Sequence, residues 1–448
     1  MSASEPLHTH QKALTINLDP RIFGSFAEIG AGQEVARWFL QVGAASGTVA
    51  KTISAYDKEV SDDLYGAGTR YVSKPRLQAM LEHEWSQLLS QLDASRGKST
   101  CFFSFVDTVS ARNFAGDNET HGWVGLRFQT QPQGPPSDVI LHVNLRDTSN
   151  LAQQAAVGIL GVNLIFAACY HLQSIDEFLA QLAADLPLDR MEFDSVECSG
   201  PAFAQWNPRV VHASLVANQL AEAIAFPLDG TLAPPTDLLY KKAVALALGP
   251  FNLEEISRRR IIENVLATLP KQEVEQSKGS VGFFCFSRAP QAADEPPLTA
   301  GQILERVDGL QQAGGGVLVS RERELYKVGA FVNRYTKSRV HFVAGLSVLV
   351  RVLLDTYKDL DGSLLEGISR LFRENVRVSV FPMPAADLQE DRSAALASGW
   401  KWPETNAFVG ALDIEPPEPL SHLYRYLIAC DFIQPRELPA RESSARAK

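Results

Sequence analysis

At 448 residues the chain exceeds what one ordinary hydrophobic core holds, and with 45% apolar and 21% charged residues it has material for two. Its 42 basic and 52 acidic residues leave a net charge of −10, a field that repels nucleic acid and anionic membranes, so neither partner is expected. Five scattered cysteines, without a CxxC or His/Cys cluster, argue against a disulfide framework or structural zinc and for a reducing compartment; no metal site is expected. The segment from Met1 to Gln11 lacks the charged start and apolar stretch of a secretory signal, so a cytoplasmic location is expected.

Residues 1–13 read as a mobile, polar start. The folded region opens near Ala13, and a strand or buried loop carrying Ile16, Leu18, Ile22, Phe23 and Phe26 leads to Gly30. From Ser73 to Leu92, Leu77, Met80, Leu81, Trp85 and Leu88 recur at helical spacing behind a serine cap and a first-turn proline, which predicts an amphipathic helix covering a sheet. Cys101 to Val106, Trp123 to Phe128 and Val139 to Val143 read as strands of a mixed sheet. The longest apolar run, Ala155 to Cys169, is shorter than the ~20 residues that span a bilayer and reads as a central buried helix, with no membrane insertion. Within it, Gly158 and Gly161 admit the close approach of another backbone. A helix from Ile175 to Ala184 and a strand from Met191 to Val196 continue the alternation.

A domain boundary is placed near residue 250. Just beyond it, Arg258, Arg259 and Arg260 read as the solvated face of a helix that follows Glu254 and Glu255. After Pro297 helices (Ala300 to Gln312, Glu322 to Asn333, Leu346 to Tyr357, Leu364 to Phe372) alternate with strands (Val317 to Ser320, Val340 to Ala344, Val376 to Phe381). The expected architecture is α/β: an N-terminal domain with a mixed sheet over 14–250, and a C-terminal domain with a doubly wound, mostly parallel sheet over 251–385. Residues 386–448 read as an extension ending in a disordered tail.

Three groups of residues carry candidate chemistry. The first is the turn from Phe26 to Glu34, in which an apolar strand, the glycines Gly30 and Gly32 and a following helix offer backbone N–H groups to a phosphate or nucleoside, with Glu28 beside them. Its letters EIGAG are similar to the first motif of class I methyltransferases, although Glu34 replaces a further glycine. The second is a polar cluster, Ser46, Thr48, Lys51, Thr52, Tyr56 and Asp57, whose hydroxyls, lysine and carboxylate suit a phosphorylated ligand. It is not a P-loop, because Lys51 stands four residues past Gly47. The third is His121, a candidate general acid or base that Asp107 could orient, with Arg127 on the strand that follows.

The segments FGSFAEIGAGQEVARWFLQVGAASGTVAKTISAYD, HGWVGLRFQ, GILGVNLI, LLYKK, NRYTK and LLEGISRLF together resemble a widespread bacterial family of about this length, cyanobacterial and Bacteroidetes members included, from about Ala13 to Met383. Its members carry labels as different as nicotinate-nucleotide adenylyltransferase and TonB-dependent receptor. A receptor of that kind needs a many-stranded barrel that this chain lacks the alternating segments to build. The adenylyl-transfer label implies an HxGH turn, and His8-Thr9-His10 lacks its glycine.

The reading is therefore of a protein that binds a nucleotide or phosphorylated metabolite, with transferase chemistry as the candidate activity. Lys51, His121 and Asp107 would be its chemical groups, and Glu28, Gly30, Gly32, Ser46, Thr48, Thr52, Tyr56, Asp57 and Arg127 would line one pocket. The alternative is a non-catalytic assembly protein, in which the same residues spread over a flat surface. A nicotinate-nucleotide adenylyltransferase-like protein and an S-adenosylmethionine-binding protein are further alternatives. No particular cofactor is implied, and self-association into a homo-oligomer is expected.

Overall fold

The structure, a computed structural model, describes residues 7–249 and 277–437 apart from 69, 291–294, 374 and 406, together with 262, 263, 265 and 267. The chain divides into two units, Met1–Glu222 and Ala223–Lys448, both α/β. This boundary precedes the expected one near 250, because the apolar segments after Glu222 hydrogen-bond into the second unit's sheet. The run Arg258 to Arg260 lies outside the described residues, as does the tail beyond 437.

The first unit is built on a six-stranded sheet of β1 (Ile22–Gly30), β2 (Val49–Ser54), β3 (Cys101–Ser110), β4 (His121–Phe128), β5 (Ser137–Leu145) and β6 (Met191–Ser199), in the order β2-β1-β3-β4-β5-β6. Strands β2, β1 and β3 are parallel; β4, β5 and β6 follow as antiparallel neighbours, so the sheet is mixed as expected. One face packs α2 (Gln33–Gln41) and α5 (Asn150–Tyr170); the other packs α4 (Lys74–Arg96), capped by the Ser73 hydroxyl as its sequence predicts. Successive residues of a strand point to opposite faces, and this alternation decides which polar groups can meet.

Two segments depart from the sequence reading. Residues 9–18 form a helix, α1 (Thr9–Leu18), rather than a mobile start, because Lys12 is buried against α5 with its Nζ donating to Asn163 Oδ1 at 2.8 Å. Residues 43–65, where the sequence reading gives only a polar cluster, hold a 3-10 turn, β2 and a further helix, α3 (Lys58–Tyr65), whose cap is the Asp57 carboxylate. Helix α5, the one described helix long and apolar enough to cross a membrane, lies largely buried against α1, α2 and α6 (Ile175–Leu182). Its glycines work as expected: a Cβ at Gly158 would stand 2.6 Å from Glu34 Cβ, and one at Gly161 would stand 2.4 Å from both Val35 methyls.

The second unit holds a seven-stranded sheet of β7 (Ala223–Phe226), β8 (Ala243–Leu248), β9 (Ser280–Ser287), β10 (Gly316–Ser320), β11 (Val340–Gly345), β12 (Val376–Phe381) and, after a two-strand ribbon of β13 (Met383–Pro384) and β14 (Phe408–Val409), β15 (Ile433–Pro435). All pairs in it are parallel except β7 with β10, which fits the expected mostly parallel sheet. Its core is formed by strand residues such as Leu246, Phe283, Phe342 and Val378. The described part of the expected extension is folded: helices Gln389–Ala397 and Leu420–Ala429 lead to β15, and Ile433 is buried beside β12.

Because the α2–α5 contact leaves no room for a side chain at Gly161, Gly161→Val should destabilise the first unit by ~1–3 kcal/mol through overpacking. A Cβ at Gly309, inside helix Ala300–Gln312, meets nothing within 4 Å, so Gly309→Ala should stabilise by up to ~1 kcal/mol through helix propensity. Urea unfolding midpoints of the two variants, moving in opposite directions, would check both assignments.

Candidate functional site

The carboxyl ends of parallel strands are where open α/β sheets place their ligands. At that edge Glu28 of β1 stands directly opposite Asp107 of β3 on one side and Ser54 of β2 on the other. Gly30, with a φ of 104°, passes so close to β3 that a Cβ there would lie 2.0 Å from Val109 O. Gly32 caps α2 directly over Asp107, and its own Cβ would lie 1.8 Å from Asp107 Oδ2. Only glycine fits either position. The first sequence group is thus assembled, and Asp107 belongs to it.

The electrostatics of this turn are not those of a phosphate cradle. Gln33 Nε2 donates to Glu28 Oε2 at 2.9 Å and to Gly30 O at 2.7 Å. Burial raises the Glu28 pKa, and hydrogen bonds from Ser54, Gln33 and the Gly32 N–H pull it partly back. The helix-start amide is therefore committed to the chain's own carboxyl group. Asp107 is fully buried and neither of its oxygens has a hydrogen-bond partner among the described residues; burial, then the Glu28 charge, holds its pKa well above the usual carboxylate range. A phosphate over Gly30 and Gly32 would meet two carboxyl groups, so the expected seat for it is corrected. Glu34 is drawn aside to Arg37 at 2.9 Å.

His121 lies at the same edge but on the opposite face. It pairs with Ser110 whereas Asp107 pairs with Val124, and the odd step between Asp107 and Ser110 turns them apart. Asp107 therefore does not orient His121. That role falls to residues the sequence reading missed: His121 Nδ1 lies 3.0 Å from His142 Nε2, and His142 Nδ1 lies 2.6 Å from Asp194 Oδ1. Asp194 Oδ2 accepts from Asn144 Nδ2 at 2.8 Å, and Trp123 packs on the His142 ring with centroids 4.8 Å apart.

The chain of bonds sets the tautomers. A carboxylate only accepts, so His142 carries its proton on Nδ1 and accepts at Nε2; His121 must then donate from Nδ1, leaving a lone pair on Nε2. That atom makes no hydrogen bond to a described residue. Burial, followed by the neighbouring His142, lowers the His121 pKa to about 4, so at neutral pH the lone pair is available. Around it, the Thr108 hydroxyl donates to Tyr71 O at 2.6 Å, the positive charge of Arg70 acts on the ring, and Lys74 is paired with Glu197 at 2.6 Å.

The remaining expected residues do not join one pocket. Ser46 is exposed in the 3-10 turn and Thr48 bonds Ile16 O at 3.5 Å, both at the amino end of β2, whereas Tyr56, 75% exposed, and Asp57 follow its carboxyl end, ~25 Å along an extended chain. Thr52 is exposed opposite Phe26. Lys51 is held by the buried Glu84 at 2.7 Å, and Arg127 is spent on Asp138 and Glu82 at 2.8 and 2.7 Å. The second group is a row of separate contacts along one strand. Among the described residues, no three His, Cys, Asp or Glu side chains converge as metal ligands.

The raised pKa of Asp107 gives a test of the buried acid pair. Stability from this group is full below its unfolded pKa near 3.8 and is lost as pH rises through the raised folded value. Asp107→Asn, which cannot ionise, should therefore gain stability over the parent protein as pH climbs from 4 toward 7, read from urea melts at each pH. A difference that does not change with pH would mean that Asp107 is not held protonated.

No family model matches the chain, and no curated protein matches it. Among solved structures it is similar to the competence/damage inducible protein CihA from Agrobacterium tumefaciens, at 20% identity and a TM-score of 0.28, over 37% of this chain and 98% of that one. It is similar too to competence-damaged protein (CinA) superfamily proteins from Enterobacter cloacae, at 11% identity and 0.27 over 37% and 95%, and from Klebsiella pneumoniae, at 14% and 0.26 over 39% and 98%. Scores of this size carry no argument about the chemistry of the site.

Proposed function

We propose that the first unit is an enzyme domain that binds a small anionic metabolite beside His121 and uses His121 Nε2 as a general base. The observation that carries this reading is the hydrogen-bonded chain from Asp194 through His142 to His121. A buried carboxylate is needed neither to fill space nor to pair a cation there; it fixes two imidazole tautomers and stabilises the positive charge formed when the outer ring takes a proton. The proton would come from a water or from a hydroxyl of the substrate, which covers hydrolysis and group transfer alike.

The substrate class follows from charge. Arg70 approaches this face, where Lys74 is held by Glu197, whereas the opposite face offers Glu28 and Asp107. A phosphorylated metabolite or a nucleotide is the first class to test, placed beside Arg70 and not over the glycine turn. The same argument weighs against S-adenosylmethionine at Gly30 and Gly32, since Gln33 and Gly32 already serve Glu28. The resemblance to a bacterial family that includes members labelled as an adenylyltransferase is compatible with a phosphorylated ligand, but the base here is a histidine pair with no HxGH turn.

A thermal-shift screen against nucleotides and sugar phosphates identifies the ligand, since a compound at ~100 times its Kd adds ~2.7 kcal/mol of stability. The expected result is a stabilising compound whose effect shrinks in Arg70→Ala. Its turnover should fall by ~100-fold or more in His121→Gln. The rate should be level through neutral pH and decline only as pH approaches about 4, where His121 gains a proton. Unchanged turnover in His121→Gln would end the general-base reading.

A further inference from the structure

The second unit contains a cleft of about 500 Å³ far along the chain from the histidine pair, in the segment whose sequence shows few periodic signals. One wall is the helix Leu420–Ala429, which presents Ser421, Tyr424, Arg425 and Ile428, the i, i+3, i+4, i+7 spacing of a single helical face. The facing wall is the stretch from Ala411 to Glu415, and Trp402 beside Lys401 closes one side. The volume suits a small organic molecule.

Three features of this cleft define what it would take. Its walls are apolar, with Trp402, Ile414 and Ile428, and Leu412 is left 72% exposed at the opening. At one end Lys401 and Arg425 both converge on the single carboxylate of Glu415, Lys401 at 2.6 Å, so two cations share one anion and keep N–H donors to spare. The other acid of the lining, Asp413, is turned back to accept the Gly410 N–H at 2.8 Å. Finally, Ser421 is 2% exposed and its hydroxyl has no hydrogen-bond partner among the described residues, although a buried hydroxyl ordinarily finds one. A ligand atom that bonds Ser421 would satisfy it.

We propose that this cleft is a binding site for a small carboxylate with an apolar ring. The carboxylate is held by Arg425 and Lys401, the ring lies against Trp402 and the two isoleucines, and a polar substituent reaches Ser421. The site is independent of the chemistry assigned to the first unit, and a failure of either leaves the other standing.

The test uses the full-length protein, with benzoate, phenylacetate and hydrocinnamate as probes, followed by saturation-transfer NMR and calorimetry. At least one probe should bind with a Kd below ~10 mM. Its uncharged amide should bind ~10-fold more weakly, as should the carboxylate to Arg425→Gln, a substitution at an exposed position. Trp402→Ala should weaken all three probes. Absence of binding by every carboxylate, equal binding of acid and amide, or undiminished binding by Arg425→Gln would each overturn the proposal. The comparison of acid with amide needs no variant, so it decides the matter even where a substitution impairs folding.

Discussion

The parallel pairing of β1 with β3, unbroken from Ile22 opposite Cys101 to Gly30 opposite Val109, is the constraint on which the chemistry of the first unit depends. It sets Glu28 against Asp107, and through the strict alternation of strand side chains it commits that pair to the α2 face. The same register, carried through β4, sends Trp123, His142 and His121 to the α4 face. A one-residue slip of β1 and β3 together against β4 would turn both acids to the other face. The acids would then stand among Leu77, Met80 and Leu81, the apolar residues of α4 that pack against that side of the sheet.

The two faces handle buried charge in different ways. On the α2 face burial and the Glu28 charge push the Asp107 pKa well above the usual carboxylate range, while Glu28 takes the donors of Ser54, Gln33 and Gly32. On the α4 face Asp194 is hydrogen-bonded by both Asn144 and His142. An acid without a hydrogen-bond partner among the described residues and an acid held by two donors thus sit on opposite sides of one sheet. Only the second arrangement leaves an imidazole lone pair without a partner among the described residues.

Much of the fold was legible from local pattern. The capped helix after Ser73, the strands from Cys101 to Val143, the buried helix with Gly158 and Gly161, and the alternating helices and strands after Pro297 all follow from periodicity and punctuation. The site was legible only in part. Glu28, Gly30 and Gly32 were found because the turn is continuous in sequence. His142 and Asp194 were not, since they lie 52 residues apart on strands whose pairing no local signal records. The usable hint was a histidine in VILHVNL and an aspartate in MEFDSVECS, polar residues in strands otherwise rich in apolar ones. Asp107 was assigned to His121 because proximity in a sheet was judged without counting the pleat. The last helices escaped because Leu420–Ala429 shows its period only once its start is known.

Lys12 adds a consequence of another kind. Burial lowers its pKa to about 8, and its amine is enclosed by α5, bonded to Asn163 and lying 5.5 Å from the centre of the Phe166 ring. Opening of α1 removes the burial that lowers this pKa, and while α1 stays docked no reagent reaches the amine. Acylation of this one lysine is therefore gated by the opening of the amino-terminal helix, and its labelling rate is a clock for that motion.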